Sequence, residues 1–348
     1  MLDPSAPLHA DRQRNPLLGW SVNRSEIRNV GVGLQRPECI LSEADGTLWT
    51  ADARGGVMRI NPDGSQQLIA QTGVSNDGST QDLILGKTLP NGLAFDLNGN
   101  ILIANFGTDA IELMTRDGQS RTLYDRIDGQ PLGKTNFVLN DSRGRIWFTV
   151  TTRAQPWTRS INEKLADGYV GLIDEHGIRI VADGFVGTNE IRLDANEQWL
   201  YVVESNARRI SRLRVQPDGG LSGREIYGPS DLGGTPDGFA FDTYGNLWIT
   251  LILAERLIAL TPDGEVLTLL DDGKPEQIAV YDRHFAAGSV TPELMDATAG
   301  SIAPLMASLT FGGPDLKTVY LGSLKGTTLA SFRSPVAGLA LPHWRAQP

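Results

Sequence analysis

Gly245-Asn246-Leu247-Trp248-Ile249-Thr250 is one of six similar phrases that decide the fold of this chain. Each copy begins with a turn or polar residue and continues with a small or polar one. A predicted strand follows, in which apolar residues alternate with others. The remaining copies begin at Gly46, Gly99, Gly144, Glu197 and Lys317, at intervals of 45 to 72 residues. A phrase that recurs at such spacing is typical of a repeat architecture.

A second signature follows the copies: a strand, an Asp-Gly turn or a close variant, and another strand. Val57 to Gly64 and Ile258 to Gly264 are examples, and Asp-Gly between alternating apolar residues indicates a hairpin. Each repeat therefore holds about four short strands, which is the content of a propeller blade. The sequence predicts an all-β fold, a single six-bladed β-propeller over residues 21–340, after an N-terminal extension over residues 1–20. A β-sandwich or barrel is the alternative, which six copies in register disfavour.

Ring closure and two insertions complete the prediction of the fold. The segment from Glu26 to Leu34 is expected to seal the last blade. Two stretches break the repeat, at residues 151–168 and 271–316, and Thr291 to Ala299 is expected to form a short helix within the second. Long loops in a compact repeat often cover a site, although surface decoration is an equal alternative.

Composition limits the classes of partner. The 348 residues carry a net charge of −10, which disfavours nucleic acid and anionic membrane surfaces. One cysteine, Cys39, excludes an intrachain disulfide. The polar N-terminus lacks the apolar stretch of a secretory signal, and the longest apolar run, Leu247 to Ala254, is too short to span a bilayer. A cytoplasmic location is expected, and the oligomeric state stays open.

Five repeats carry an oxygen donor at one equivalent position. Eight residues before the successive anchors stand Glu38, Asn91, Asn136, Asn189, Asp237 and, in the sixth repeat, Leu309. Because the innermost strand of each blade runs along the central channel, these positions should form a ring around the axis. Singly, Asn91 and Asp237 are explained by their turn sequences, Pro-Asn-Gly and Pro-Asp-Gly. The shared register favours the ring.

The composition of the ring predicts a metal. It contains two carboxylates and no lysine, arginine or histidine. Two buried carboxylates repel each other unless a cation joins them. Calcium takes about 6–8 oxygen ligands, including carboxylates and amides, and the lack of His and Cys argues against zinc or copper. We expect one divalent cation at the channel mouth, with calcium favoured and magnesium, manganese or a weakly held zinc left open.

Several phrases resemble the SMP-30/gluconolactonase/regucalcin family, also called luciferin-regenerating-enzyme-like. They are Arg36-Pro37-Glu38, Asn136 with the strand from Gly144 to Phe148, Thr235 to Asp242, and Leu309 to Tyr320. The resemblance extends over about residues 20 to 335. It implies a six-bladed propeller that acts as a metal-dependent lactonase on a small lactone or ester.

The resemblance also assigns roles to residues. It implies that Glu38, Asn136, Asn189 and Asp237 hold the metal. The metal would polarise the lactone carbonyl and orient a water, with Asp237 as general base. Substrate would be held by Asn91, Asn136, Lys134 and, less strongly, Asn105.

Three departures from the family pattern concern the substrate. Asn189 is followed by Glu190 where the family often has glycine, and Asn136 is followed by Phe137 and Val138 where it often has Asp-Gly. Lys134 stands where arginine is common. Phe137 suggests a more apolar pocket. A phosphotriesterase or esterase on the same metal, and a non-enzymatic calcium-binding propeller, are the alternative functions, because fold alone does not settle chemistry.

Overall fold

Each repeat forms one four-stranded antiparallel sheet in the computed structural model, which describes residues 14–74, 83–84 and 86–345. The strands are β1 Arg28–Val30, β2 Ile40–Ser42, β3 Leu48–Asp52, β4 Gly56–Ile60, β5 Gln66–Ala70, β6 Pro90–Phe95, β7 Ile101–Asn105, β8 Ala110–Met114, β9 Ser120–Tyr124, β10 Arg126–Ile127, β11 Gln130–Pro131, β12 Thr135–Asn140, β13 Ile146–Val150, β14 Gly168–Asp174, β15 Gly177–Phe185, β16 Thr188–Leu193, β17 Trp199–Glu204, β18 Arg209–Val215, β19 Leu221–Tyr227, β20 Pro236–Phe241, β21 Leu247–Leu251, β22 Arg256–Leu260, β23 Val266–Asp271, β24 Met306–Gly312, β25 Thr318–Ser323 and β26 Leu329–Arg333. The α-helices in the described residues are α1 Pro275–Ala287, α2 Pro292–Thr298 and α3 Pro342–Arg345.

The sheets are the blades of a propeller. Five blades follow chain order: β2 to β5, β6 to β9, β12 to β15, β16 to β19 and β20 to β23. The sixth has the order β1-β26-β25-β24, so the N-terminal strand pairs with the last strand, with Arg28 opposite Ser331. This confirms the predicted closure between Glu26 and Leu34. Such closure joins the two ends of the propeller through backbone hydrogen bonds.

An acidic residue at the end of the first strand explains the recurring phrase. In the fifth blade, Asp242 accepts hydrogen bonds from the backbone amides of residues 244–246 and, at 3.0 Å, from the indole of Trp248. Gly245 takes a φ of 99° in this turn, a conformation that favours glycine. Equivalent pairs are Glu43 with Trp49 and Asp141 with Trp147. The anchor glycine therefore supplies the turn, and the tryptophan ties the strand to it.

Trp49, Trp147 and Trp248 each occupy the second position of their strand and are buried in the blade core. Trp199 is instead the first residue of β17 and is only partly buried, and the guanidinium groups of Arg212 and Arg214 lie over its ring, each at 4.3 Å from the centroid. The indole of the fourth blade is therefore covered by cations rather than by a neighbouring core.

Both chain ends pack against the propeller. Leu17 is completely buried, and Asn15 donates a hydrogen bond to the Asn246 side chain at 2.6 Å. The first thirteen residues of the expected extension lie outside the described residues. At the other end of the chain, His343 in α3 contacts the backbone oxygen of Ser42 and the ring of Phe95. Within the described part of the chain, no helix is long and apolar enough to cross a membrane.

Replacing Asp242 with alanine should lower the free energy of unfolding by about 2–4 kcal/mol, because buried amides and an indole lose their acceptor. The matched control is Asp63→Ala. Asp63 is exposed and serves only the turn at Ser65, so the loss there should stay below about 1 kcal/mol. Urea denaturation followed by far-UV circular dichroism measures both, and equal losses would contradict the role given to the Asp-Trp pair.

Candidate active site at the channel mouth

The structure brings the predicted ring residues together at one end of the channel. The side-chain amide of Asn91 donates to Glu38 Oε1 and to the backbone oxygen of Asn136, both at 3.0 Å. On the other side of the ring, the Asn189 amide donates to the Ser205 hydroxyl at 3.1 Å. Asn189 lowers the pKa of the neighbouring Asp237, and the charge of Glu38 raises it from across the ring. All five are buried except Asn189, which is partly exposed. The common register read from the sequence thus corresponds to one polar cluster.

Local irregularities in the inner strands aim these side chains. Asn91, Asn136, Asn189 and Asp237 each occupy the second position of their strand. In every one of those strands the pairing with the next strand shifts at or beside that residue. A bulge of this kind bends a strand and redirects a side chain, and bulges are common beside active sites. The shift also allows Asn189 and its neighbour Glu190 to face the interior together.

Burial disfavours the charged form of the ring carboxylates and raises their pKa values. Burial raises the pKa of Glu38 to about 8, an effect that the charge of Glu190 strengthens and that of Arg36 opposes. Burial also raises the pKa of Asp237 well above its usual range, with the charges of Glu38 and Glu190 adding to it. A cation near these groups would relieve the repulsion.

Two site residues were not recognised from the sequence. Glu190 is a third buried carboxylate, which pairs with Arg192 at 2.8 Å and accepts from the Ser308 hydroxyl at 2.7 Å. The sequence feature that could have identified Glu190 is its place after Asn189, where the family often has glycine. The ring positions carry no basic residue, yet Arg36 brings a guanidinium to the ring and donates to Asn91 Oδ1 at 2.7 Å. The sequence feature that could have identified Arg36 is its place two residues before Glu38 in the phrase Arg36-Pro37-Glu38.

Three ring oxygens have no protein partner among the described residues. They are Glu38 Oε2, Asn136 Oδ1 and Asn189 Oδ1, all buried. Buried polar atoms are nearly always hydrogen-bonded, so three such atoms in one ring indicate a missing ligand that accepts oxygen donors. A hard divalent cation such as calcium fits this mixture of carboxylate and amide oxygens. In the described part of the chain, no group of three His, Cys, Asp or Glu side chains is arranged to hold a metal ion. A cation in the ring would therefore need the amide oxygens of Asn136 and Asn189 as ligands.

Asn91 differs from the other ring amides. Its oxygen is taken by Arg36, and its nitrogen is shared between Glu38 and Asn136. The residue therefore links three parts of the ring, and the guanidinium on its oxygen disfavours an ion at that atom. The remaining four ring residues are those that the family resemblance assigns to the metal.

Lys134 and Asn105 belong to a separate polar cluster. The ammonium of Lys134 contacts Asp109 at 2.9 Å and donates to the backbone oxygens of Ile84 and Phe106, which uses its three protons. Asn105 is completely buried, and its side chain bonds to backbone amides and to Thr88 and Glu112. These contacts hold loops together and argue against the substrate roles expected for both residues.

Phe137 also takes a different role from the one its sequence position suggested. Only 1% of its surface is exposed, and the guanidinium of Arg192 lies 4.5 Å from its ring centroid. Arg192 in turn pairs with Glu190. Phe137 is therefore part of the floor beneath the ring rather than the wall of an apolar pocket.

The two insertions lie on the face of the propeller that carries the ring. Pro236, beside Asp237, pairs with Leu251, so loops that follow the second strands share this end with the ring. Ile161 from residues 151–168 packs in one apolar cluster with Tyr281 and Phe285 of α1. We call residues 151–168 and 271–305 together the cap. The expected short helix is present as α2, with Thr291 as its N-cap; α1 was not predicted.

Two carboxylates fasten the second part of the cap. Asp272 accepts from the backbone amide of Ile302 at 2.8 Å and also from Ser301. Glu255, in the turn between β21 and β22, is completely buried and lies under Gly300. Burial raises the pKa of Glu255 to about 8, and the charge of Asp272 adds to the rise.

Comparison with known proteins identifies the family. Residues 91–278 match the sequence profile described as SMP-30/Gluconolactonase/LRE-like region. The chain belongs to this family. It is 27% identical over 252 residues to a 6-deoxy-6-sulfogluconolactonase of Pseudomonas putida, covering 71% of this chain and 72% of that protein.

Solved structures of the SMP-30/gluconolactonase family share the fold. A gluconolactonase from Xanthomonas campestris superposes with a TM-score of 0.64 at 21% identity, covering 89% of each chain. A calcium-binding regucalcin from Agrobacterium tumefaciens also gives 0.64, at 15% identity, covering 90% of this chain and 96% of that one. At these identities the structures show the fold, and they confirm the six-bladed propeller.

Glu255 gives the stability a pH dependence whose sign follows from its raised pKa. The folded state favours the protonated carboxyl, so the stabilisation is fully present below about pH 4.5 and is lost as the pH rises towards 8, by about 1.4 kcal/mol per unit at most. Glu255→Gln should therefore lose less stability between pH 5 and pH 8 than the natural protein does. Urea unfolding at both pH values tests this. The exposed Glu163→Gln is the matched control, and a wild-type pH slope in Glu255→Gln would refute the assignment.

Proposed function

We propose that this protein is a divalent-cation-dependent lactonase acting on a small lactone. The observation that carries the proposal is the set of three unpartnered buried oxygens beside Asp237. Membership of the SMP-30/gluconolactonase family supports it, as does the similarity to a protein whose name describes lactone hydrolysis. The cap on the same face supports an enzyme over a scaffold, because a binding scaffold needs no cover over its ligands.

The ring residues divide into holding and reacting roles. Glu38, Asn136, Asn189 and Asp237 would hold the cation, with calcium the first choice and magnesium, manganese or zinc the others. A divalent cation bound there would supply Lewis acidity to the lactone carbonyl. Asn91 and Asn136 line the same mouth and are the proposed substrate contacts.

Asp237 is the proposed general base. Its buried carboxylate belongs to the ring that would hold the cation, so a water bound to that cation would lie near it. Burial raises the pKa of Asp237, Asn189 opposes this shift, and a bound cation would oppose it further. Asp237 would accept the proton of the attacking water and return it to the alkoxide when the ring opens.

Calcium binding tests the ligand set directly. Asn189→Ala removes one of the unpartnered oxygens and should weaken calcium binding by about tenfold to a hundredfold, since each ligand of a hard cation contributes to its affinity. Isothermal titration of chelator-treated protein measures this. Asn98→Ala, in an exposed turn, removes the same chemical group away from the ring and should leave the affinity unchanged. Equal affinities in both variants would exclude Asn189 as a ligand.

Turnover of a panel of aldono- and aliphatic lactones tests the chemistry. Chelator-treated protein should be inactive and should recover when calcium is added. Asp237→Asn should lower kcat by about a hundredfold or more, the range for loss of a general base, whereas His284→Ala, on α1, should keep full activity. Calcium binding without lactone turnover would favour the non-enzymatic propeller, and hydrolysis of an organophosphate alone would favour the phosphotriesterase.

A further inference from the structure

Arg36 stands beside the candidate cation site, although its position is outside the repeating register. We propose that Arg36 is a built-in counter-cation that sets how tightly the ring holds a divalent ion. The inference rests on the proposed cation site and adds to it a residue that limits the affinity. It follows from the backbone at Arg36, from the hydrogen bonds of its guanidinium and from the balance of charge around the ring.

The backbone brings Arg36 and Glu38 to the same place. Arg36 has a φ of 54°, in the left-handed region that residues with a Cβ rarely adopt, and proline follows it. Its carbonyl oxygen accepts a hydrogen bond from the Glu38 amide at 2.8 Å. The chain turns so tightly here that a cationic and an anionic side chain, two residues apart, both reach the channel mouth. Strain of this kind is found where the surrounding structure requires a fixed side-chain position.

Hydrogen bonds then tie the guanidinium to the ring. Arg36 donates to Asn91 Oδ1 at 2.7 Å, and Asn91 donates to Glu38 Oε1 at 3.0 Å. The oxygen of Asn91 is therefore withheld from a cation. The positive charge of the guanidinium acts on the ring, but the free oxygens of Glu38, Asn136 and Asn189 receive no hydrogen bond from it.

The charges around the ring leave Arg36 as the balancing group for two carboxylates. Glu190 is already paired with Arg192 at 2.8 Å. The charge of Arg36 acts on both Glu38 and Asp237. A divalent ion in the ring would meet the same two carboxylates and would be repelled by the guanidinium. Arg36 therefore stabilises the ring without an ion and weakens the binding of one.

Calcium titration of chelator-treated protein tests this role. Arg36→Gln should lower the calcium Kd at least tenfold, since the energy between a unit charge and a divalent ion a few ångströms apart exceeds that value even in a strongly screened site. Arg36→Lys keeps the charge and should stay within about threefold of the natural protein. Arg126→Gln, in the exposed β10–β11 hairpin, loses the same charge away from the ring and should bind as the natural protein does.

Thermal unfolding gives a second readout that requires no activity. Without divalent ions, Arg36→Gln should unfold at a lower temperature than Arg126→Gln, and calcium should raise its Tm more. Arg36→Met, which keeps the apolar stem, replaces Arg36→Gln should that variant fail to fold.

The outcomes separate this inference from the function on which it rests. Unchanged or weaker calcium binding in the charge-free variants, with binding intact in the natural protein, would overturn the role of Arg36 alone. Absence of calcium binding in every variant would overturn the cation site and this inference together. Tight binding that appears only after Arg36 is replaced would support both.

Discussion

The burial of like charges at one end of the channel is the constraint on which the site depends. Glu38 lies just before β2, Asp237 is the second residue of β20, and both side chains are buried. Burial raises the pKa of both carboxyls, and the charge of Glu190 adds to each rise. Such a cluster persists only where cations or hydrogen-bond donors surround it. The contacts around it are consistent with this demand: Arg36 faces it from the side, Arg192 neutralises Glu190 below it, and amides complete the circle.

The sequence predicted the parts of the structure that repeat. The anchor phrase predicted the blades, because a turn or polar residue followed by a strand recurs in each repeat, with a buried tryptophan in three of them. Counting back from the anchors placed five oxygen donors at one level of the channel, and the structure joins three of them through the Asn91 side chain. Closure by the segment from Glu26 to Leu34 was expected, and residues 28–30 form the strand that closes the last sheet. Periodicity therefore located the ring before any contact was known.

The site residues that the sequence did not predict do not follow the repeating strand pattern. Arg36 reaches the ring through a left-handed turn, and no register of alternating residues describes that path. Glu190 faces inward beside Asn189 because a bulge suspends the alternation there. The family resemblance assigned Lys134 to the substrate, and its actual partners Asp109, Ile84 and Phe106 lie on loops that are distant in sequence. The pattern within one repeat does not predict contacts between loops of different blades.

Two departures from the family pattern, at Glu190 and Phe137, pack together as one unit. Glu190 and Phe137 lie on neighbouring blades, and Arg192 bonds the first while its guanidinium covers the ring of the second. An extra negative charge under the ring is thus matched by a cation that needs an aromatic surface beside it. The unit fills the floor of the channel and leaves the free oxygens of Glu38, Asn136 and Asn189 untouched. Among the described residues this unit packs beneath the ring, so residues of the cap, rather than Phe137, are where differences in substrate should be sought.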